Sequence, residues 1–137
     1  MRTSSYSLLC AGLTFMFAAY QARADVVAIV SVDSTTTTIT AEQLSRIYLG
    51  ESHVLTPLDL AYPSNTRREF YAKVVGKDEG EVQAQWARLV FTGKRSAPKE
   101  LPSGEELVKA VAANPKAIGY VDRSFVNMTV KIVYTVK

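Results

Sequence analysis

Short apolar segments alternate with amphipathic helical patterns along most of this sequence, and this alternation most constrains how the chain can fold. Short runs of β-branched and apolar residues predict buried strands, and apolar residues at helical spacing predict helices. The predicted strands are Asp25–Val32, Pro57–Tyr62, Ala117–Asp122 and Val130–Val136. Because helices separate short apolar strands, we expect a three-layer α/β fold with a mostly parallel central sheet flanked by helices.

Four capping residues mark where the predicted helices begin. Ser, Thr and Asp at this position accept a hydrogen bond from an amide of the first helical turn. The four residues are Thr40, Ser64, Asp78 and Ser103. Thr40 and Ser103 also have Gln or Glu three positions later, which makes each a capping box. Gly76 is predicted to end the second helix, and Thr92–Pro102 is predicted to be a loop.

The first 24 residues have the layout of a secretory signal peptide. Arg2 precedes the apolar stretch Leu8–Ala19, and the small-x-small sequence Ala22–Ala24 follows it. The alternative is a membrane anchor, but the stretch is shorter than the roughly 20 residues that a spanning helix needs. We therefore expect cleavage after Ala24, a periplasmic or secreted domain of residues 25–137, and no membrane span after cleavage.

The predicted mature domain has a nearly balanced charge and no cysteine. Cleavage removes 24 of the 137 residues and leaves 113, without Arg2, Arg23 and the single cysteine, Cys10. The 16 basic residues become 14, against 13 acidic ones. No cluster of Lys and Arg marks a nucleic-acid partner. Neither a disulfide nor thiol catalysis can operate in a domain without cysteine.

Residues for catalysis or metal binding are scarce in the sequence. His53 is the only histidine, and its polar loop holds no partner that would activate a nucleophile or complete a metal site. Glu105 and Glu106 fit the first turn of a helix, where the macrodipole stabilises negative charge. We therefore expect a protein that is not an enzyme and that uses no metal and no cofactor.

The turn from the second predicted strand into its helix is the strongest candidate for a binding site. Ser64 caps the helix, and unpaired amides together with the positive end of the helix dipole attract anions at such a start. Arg67 precedes Phe70 by three residues, so it shares the inward face of the helix and needs an anion or an acidic partner. Asp59 or Asp122 is the alternative partner, which would make the turn purely structural.

Four motifs in order along the chain resemble one family. They are Leu44-x-x-Ile47-Tyr48-x-Gly50, Ser64-x-x-Arg67-x-x-Phe70-Tyr71, Trp86-x-Arg88-x-x-Phe91-Thr92-Gly93-Lys94 and Ala117-Ile118-Gly119-Tyr120-Val121. Together they look like the small phosphate-binding-protein-like domains of bacterial phosphate ABC transporter systems, in the type 2 periplasmic binding protein superfamily. The resemblance extends from about Val26 to Val133 and implies a single lobe of that fold.

The resemblance implies a solute-binding protein that captures an oxyanion, most simply phosphate, for ABC-type uptake or sensing. Carried over by position, Ser64 and Thr66 would supply hydroxyl or amide groups, Asn65 an amide and Arg67 the charge. Further candidates are Ser31 and Ser34, at the end of the first strand, which match no motif of the family.

The sequence departs from the full-length receptors in two respects. It has about the length of one lobe, so the wall that closes over a ligand is missing. Ser64-Asn65-Thr66 also replaces the Ser-Gly-Thr turn common in the larger proteins. Tight binding would therefore require a partner or a homodimer that completes the cleft, such as an ABC transporter or another envelope complex. The alternative function is a ligand-independent periplasmic interaction or accessory protein built on one lobe.

Overall fold

A five-stranded sheet organises residues 25–137, the part of the chain that this computed structural model describes. The strands are β1 (Val26–Ser31), β2 (Thr56–Leu60), β3 (Lys99–Leu101), β4 (Ala117–Asp122) and β5 (Val130–Thr135). The α-helices are α1 (Ala41–Tyr48), α2 (Asn65–Phe70), α3 (Glu79–Phe91) and α4 (Gly104–Ala112). The predicted signal peptide, residues 1–24, lies outside the described part. None of the helices within residues 25–137 has the length and apolar character to cross a membrane.

The strand order is β3-β2-β4-β1-β5. β2 is parallel to β3 and β4, whereas β1 runs antiparallel to both of its neighbours, β4 and β5. Four of the five strands therefore point the same way, which confirms the predicted α/β fold with a mostly parallel sheet. Because Val30 of β1 and Pro57 of β2 both pair with Ile118 of β4, β1 ends at the edge where β2 and β4 begin.

Helices cover both faces of the sheet. Successive side chains of a strand point to opposite faces. Tyr120 of β4 stacks on Phe70 of α2 with ring centroids 4.0 Å apart, and Tyr48 of α1 packs edge-on against the same ring. Gly119 faces α4, because a Cβ added there would meet Leu107 Cδ2 at 2.5 Å. α1 and α2 thus pack on one face and α4 on the other.

The four predicted caps form, but of the two predicted capping boxes only that of Thr40 is complete, because the Glu106 side chain does not accept from the Ser103 amide. Thr40 makes a complete capping box, in which its hydroxyl accepts from the Gln43 amide at 3.1 Å and its own amide donates to the Gln43 side chain at 3.0 Å. The side chains of the other three predicted caps accept a hydrogen bond from the third helical amide. These caps are Ser64, Asp78 and Ser103.

Two elements differ from the sequence prediction. β3 lies within the segment predicted as a loop. The sequence does not predict this strand because it has only three residues, and exposed Lys99 and Glu100 give it no apolar alternation. The helix predicted after Ser64 continues from α2 as a π-helix, Tyr71–Val75, before Gly76 ends it with a φ of 71°. The wider turn is not encoded in the spacing of apolar residues that predicts a helix.

The contact between Gly119 and α4 can be tested by a double-mutant cycle. Gly119→Ala places a methyl group against the fully buried Leu107 side chain, so we expect unfolding free energy to fall by about 1–3 kcal/mol. Urea denaturation measures this loss.

In a Leu107→Ala background the added methyl group occupies space that the truncated side chain leaves, so Gly119→Ala should cost less there than in the wild-type protein. An equal cost in both backgrounds would mean that β4 does not pack against α4 as described.

Candidate functional site

The turn between β2 and α2 lies at the sheet edge where the parallel strands β2, β3 and β4 end. Ser64 Oγ accepts a hydrogen bond from the Arg67 amide at 3.1 Å, and the Ser64 carbonyl accepts one from the Arg68 amide at 3.0 Å. The amides of Asn65 and Thr66 precede any carbonyl to which the helix could bond them. Asn65 is exposed, so the helix start faces solvent.

Arg67 is buried beneath this turn, with 9% of its surface exposed. Its Nη1 donates hydrogen bonds to the Leu60 carbonyl at 2.7 Å and to Glu100 Oε1 at 3.0 Å. The same nitrogen lies 3.9 Å from Asp59 Oδ2. Burial lowers the pKa of Arg67, but the attraction of Asp59 and the hydrogen bond to Glu100 outweigh it and hold the pKa above its usual value. The guanidinium therefore carries its charge at every physiological pH.

Asp59 is the buried acid at the centre of this arrangement, 3% exposed. Its Oδ1 accepts hydrogen bonds from the Leu60 amide at 2.9 Å and from the Tyr120 hydroxyl, and its Oδ2 accepts one from the Tyr71 hydroxyl. Burial raises the pKa of Asp59, although the two tyrosines and Arg67 act in the opposite direction. Burial and Asp59 also raise the pKa of both tyrosines, so their hydroxyls remain donors.

Two further carboxylates complete the surroundings of the guanidinium. Glu100 of β3 forms the hydrogen bond given above, and Glu79 of α3 places its Oε1 3.4 Å from Arg67 Nε. Arg67 Nε and Glu79 Oε1 are both buried, and neither atom has a hydrogen-bond partner. Arg67 thus forms ion pairs with three carboxylates, those of Asp59, Glu79 and Glu100. We call these four residues the Arg67 cluster.

The structure separates the six predicted binding residues into two groups. Ser64, Asn65, Thr66 and Arg67 lie together at the turn where β2 ends. Ser31 is the last residue of β1 and Ser34 follows it, so both lie at the opposite sheet edge, because β1 is antiparallel to β4.

The two serines form local hydrogen bonds at that edge. Ser31 Oγ donates to the Ala112 carbonyl at 3.4 Å and accepts from the Asp33 amide at 3.2 Å. Ser34 Oγ accepts from the Thr36 amide at 3.2 Å. One small anion cannot contact both these serines and the turn after β2.

Of the two acidic partners considered for Arg67, the structure shows Asp59. Asp122 instead accepts a hydrogen bond from the Ser124 amide at 3.0 Å. The sequence does contain a signal for Asp59, which is the single acid within the apolar segment Pro57–Tyr62. Glu79 and Glu100 are partners that the sequence does not reveal. Glu79 lies at a helix start, which explains an acid by itself, and Glu100 lies on the unpredicted strand β3.

A cavity of about 670 Å³ opens away from the Arg67 cluster. Its lining includes the four consecutive threonines 35–38, Gln43 and Arg46. Arg46 is already paired with Glu42 at 2.8 Å, and the threonine side chains lie mostly in solvent. The cavity therefore offers no buried charge that would select a ligand.

The hydrogen bond from Tyr71 to Asp59 predicts a stability change. Tyr71→Phe leaves Asp59 Oδ2 without a hydrogen-bond donor, so we expect unfolding free energy to fall by about 1–3 kcal/mol at neutral pH. The pKa of Asp59 is already raised in the folded state and rises further in the variant. The destabilisation is therefore complete above the pKa of Asp59 in the variant. It shrinks as the pH falls from that value to the lower pKa of Asp59 in the wild-type protein.

Urea denaturation of both proteins at several pH values measures this effect. Tyr62→Phe is the matched control, because Tyr62 is exposed and should lose almost nothing. A Tyr71→Phe penalty that does not change with pH would contradict an ionised Asp59 as the acceptor.

No protein-family model matches the chain, and no curated protein matches it. Solved structures do match. A phosphate ABC transporter substrate-binding protein from Clostridium perfringens, described as putative and with bound phosphate, superposes with a TM-score of 0.66 at 19% identity. An ABC-type phosphate transport receptor from Vibrio cholerae gives 0.63 at 18%, and PstS from Borrelia burgdorferi gives 0.61 at 17%.

Each match covers 80% of this chain but only 44–46% of the other protein. The chain therefore spans less than half the length of these receptors. At this level of identity the likeness establishes the fold. Residues 25–137 have the fold of one part of a phosphate-transport receptor, as the resemblance in the sequence implied.

Proposed function

We propose that this chain is an extracytoplasmic solute-binding module that recognises an oxyanion, with phosphate as the first candidate. The observation that carries the proposal is the fold shared with three phosphate-transport receptors, one of them described with bound phosphate. Those neighbours are binding proteins rather than enzymes. Recognition by hydrogen bonds without covalent chemistry also agrees with a sequence that offers one histidine and no mature cysteine.

The proposed site is the turn from β2 into α2. The amides of Asn65 and Thr66 would donate to the anion, with the hydroxyls of Ser64 and Thr66 beside them. Arg67 lies under the same turn and adds positive charge, but three carboxylates of its own chain offset that charge. We therefore expect weak binding, in the millimolar range. Ser31 and Ser34 lie at the other sheet edge and are not part of the proposed site.

An open site of this kind needs a second wall to exclude water. The chain spans less than half the length of the receptors it resembles, and a hydrated site weakens electrostatic attraction. We propose that an ABC transporter, another envelope complex or a second copy of the chain supplies that wall. The periplasmic location follows from the predicted signal peptide, residues 1–24, and belongs to the same proposal.

Titration calorimetry with phosphate and sulfate tests the site. Asn65→Asp adds a carboxylate beside the two amides and should weaken phosphate binding at least about tenfold, because two charged groups repel strongly at short distance. The same substitution favours the helix start, so the folded protein should be as stable as the wild type or more stable. Loss of binding therefore cannot come from loss of the fold.

Asn127→Asp is the matched control, since it makes the same change of charge at an exposed position in the connection between β4 and β5. It should leave the phosphate affinity unchanged. No binding at millimolar phosphate, or equal affinity in both variants, would reject the proposed site. Size-exclusion chromatography with and without phosphate then tests whether a second copy completes it, in which case phosphate should strengthen a dimer.

A further inference from the structure

A second cavity lies behind Arg67, between α3 and β3, and encloses about 270 Å³. Its polar end is formed by Asp59, Arg67 and Glu100. Its apolar walls include Val82, Trp86 and Val90. Asp59, Val82 and Trp86 are buried, whereas Val90 and the Glu100 side chain, 53% exposed, lie toward solvent. The cavity therefore has a charged inner end, apolar walls and an open mouth, which is the usual anatomy of a small-molecule site.

The charge at this end is unbalanced. Arg67 is the basic residue that pairs with Asp59 and Glu100, and Glu79 approaches the same guanidinium from α3. The cavity itself is lined by two of these carboxylates, Asp59 and Glu100, against one guanidinium, which leaves an excess of one negative charge when all are ionised. An anion in this cavity would meet that excess and be repelled. A neutral ligand would bury the carboxylates without compensating their charge.

Glu100 supplies the acceptor that a cation needs. It bonds to Arg67 through Oε1 alone, so its carboxylate keeps further acceptor capacity at the cavity. An ammonium group carries three donors and no acceptor, which suits an end formed by carboxylates. The volume is slightly below the range typical of drug-sized ligands, so the occupant is a smaller molecule.

We propose that this cavity binds a small organic cation, a primary amine with a short apolar body. The ammonium group contacts Glu100 next to Asp59, and the apolar body lies against Val82 and Trp86. This site is separate from the oxyanion site proposed at Asn65 and Thr66, and it has the opposite charge preference. It does not depend on phosphate binding.

The test compares three probes of similar shape and different charge: phenethylamine, 2-phenylethanol and phenylacetate. Trp86 is the only tryptophan and lines the cavity, so its fluorescence reports occupancy. We expect phenethylamine to bind at least about tenfold more tightly than 2-phenylethanol, because hydrogen bonds to charged groups are the stronger ones. Phenylacetate should bind most weakly of the three. Equal affinities, or tightest binding of phenylacetate, would overturn the proposal.

Two variants locate the site. Glu100→Gln keeps an oxygen that can accept from Arg67 but removes the negative charge, so it should weaken amine binding about tenfold and leave the alcohol unaffected. Ala87→Leu places a larger side chain on the helix at the cavity lining and should weaken both probes. Glu105→Gln, on the exposed face of α4, is the matched control and should change neither.

The results separate this proposal from the first one. Amine binding that is unchanged in both Glu100→Gln and Ala87→Leu would place the probe elsewhere and overturn the proposal. Phosphate should not displace the amine from the wild-type protein, because the two sites are distinct. Failure of phosphate to bind would reject the oxyanion site and leave the amine result standing.

Discussion

The contacts of the buried Asp59 carboxylate hold together the side of the molecule where β2, β3 and β4 end. From β2 it accepts hydrogen bonds from Tyr120 of β4 and from Tyr71 of the π-helix, and it lies beside Arg67 of α2. Arg67 in turn contacts Glu100 on β3 and Glu79 on α3. One acid and one arginine thereby connect strands and helices that are far apart in sequence. Removing Arg67 would leave the buried carboxylate of Asp59 without its cationic partner, which costs more than the net value of any single hydrogen bond.

The same cluster limits the positive charge that Arg67 presents at the turn after β2. An arginine free of acidic partners would supply a full positive charge to an anion. Here three carboxylates offset that charge, and Nη1 already donates to the Leu60 carbonyl and to Glu100. In the proposed function, recognition of an oxyanion would therefore rely on the backbone amides of Asn65 and Thr66, which belong to neither the guanidinium nor the carboxylates of the cluster. The hydrogen bond from Arg67 to the Leu60 carbonyl joins α2 to the end of β2.

Local patterns in the sequence were sufficient to predict most of the elements. The caps at Thr40, Ser64, Asp78 and Ser103 need only an oxygen and an amide a few residues apart, so the sequence specifies them directly. The strand β3 and the partners Glu79 and Glu100 depend on contacts between distant segments. The direction of β1 in the sheet also depends on its antiparallel pairing with β4 and β5. The apolar run that predicts β1 as a strand does not show in which direction it runs. For that reason, Ser31 and Ser34 look similar to the turn residues in sequence and yet lie at the opposite sheet edge.

The two candidate ligand sites differ in how much they depend on a second surface. The amides at the start of α2 face solvent, and an anion bound there keeps much of its water unless another protein covers it. The cavity behind Arg67 is walled by the buried side chains Val82 and Trp86 of the chain's own helix α3. These walls cover part of a ligand's apolar body, whereas the mouth of the cavity is open to solvent at Val90 and Glu100. The proposed amine site would therefore rely on walls that this chain supplies itself, whereas the proposed anion site would rely on a second surface.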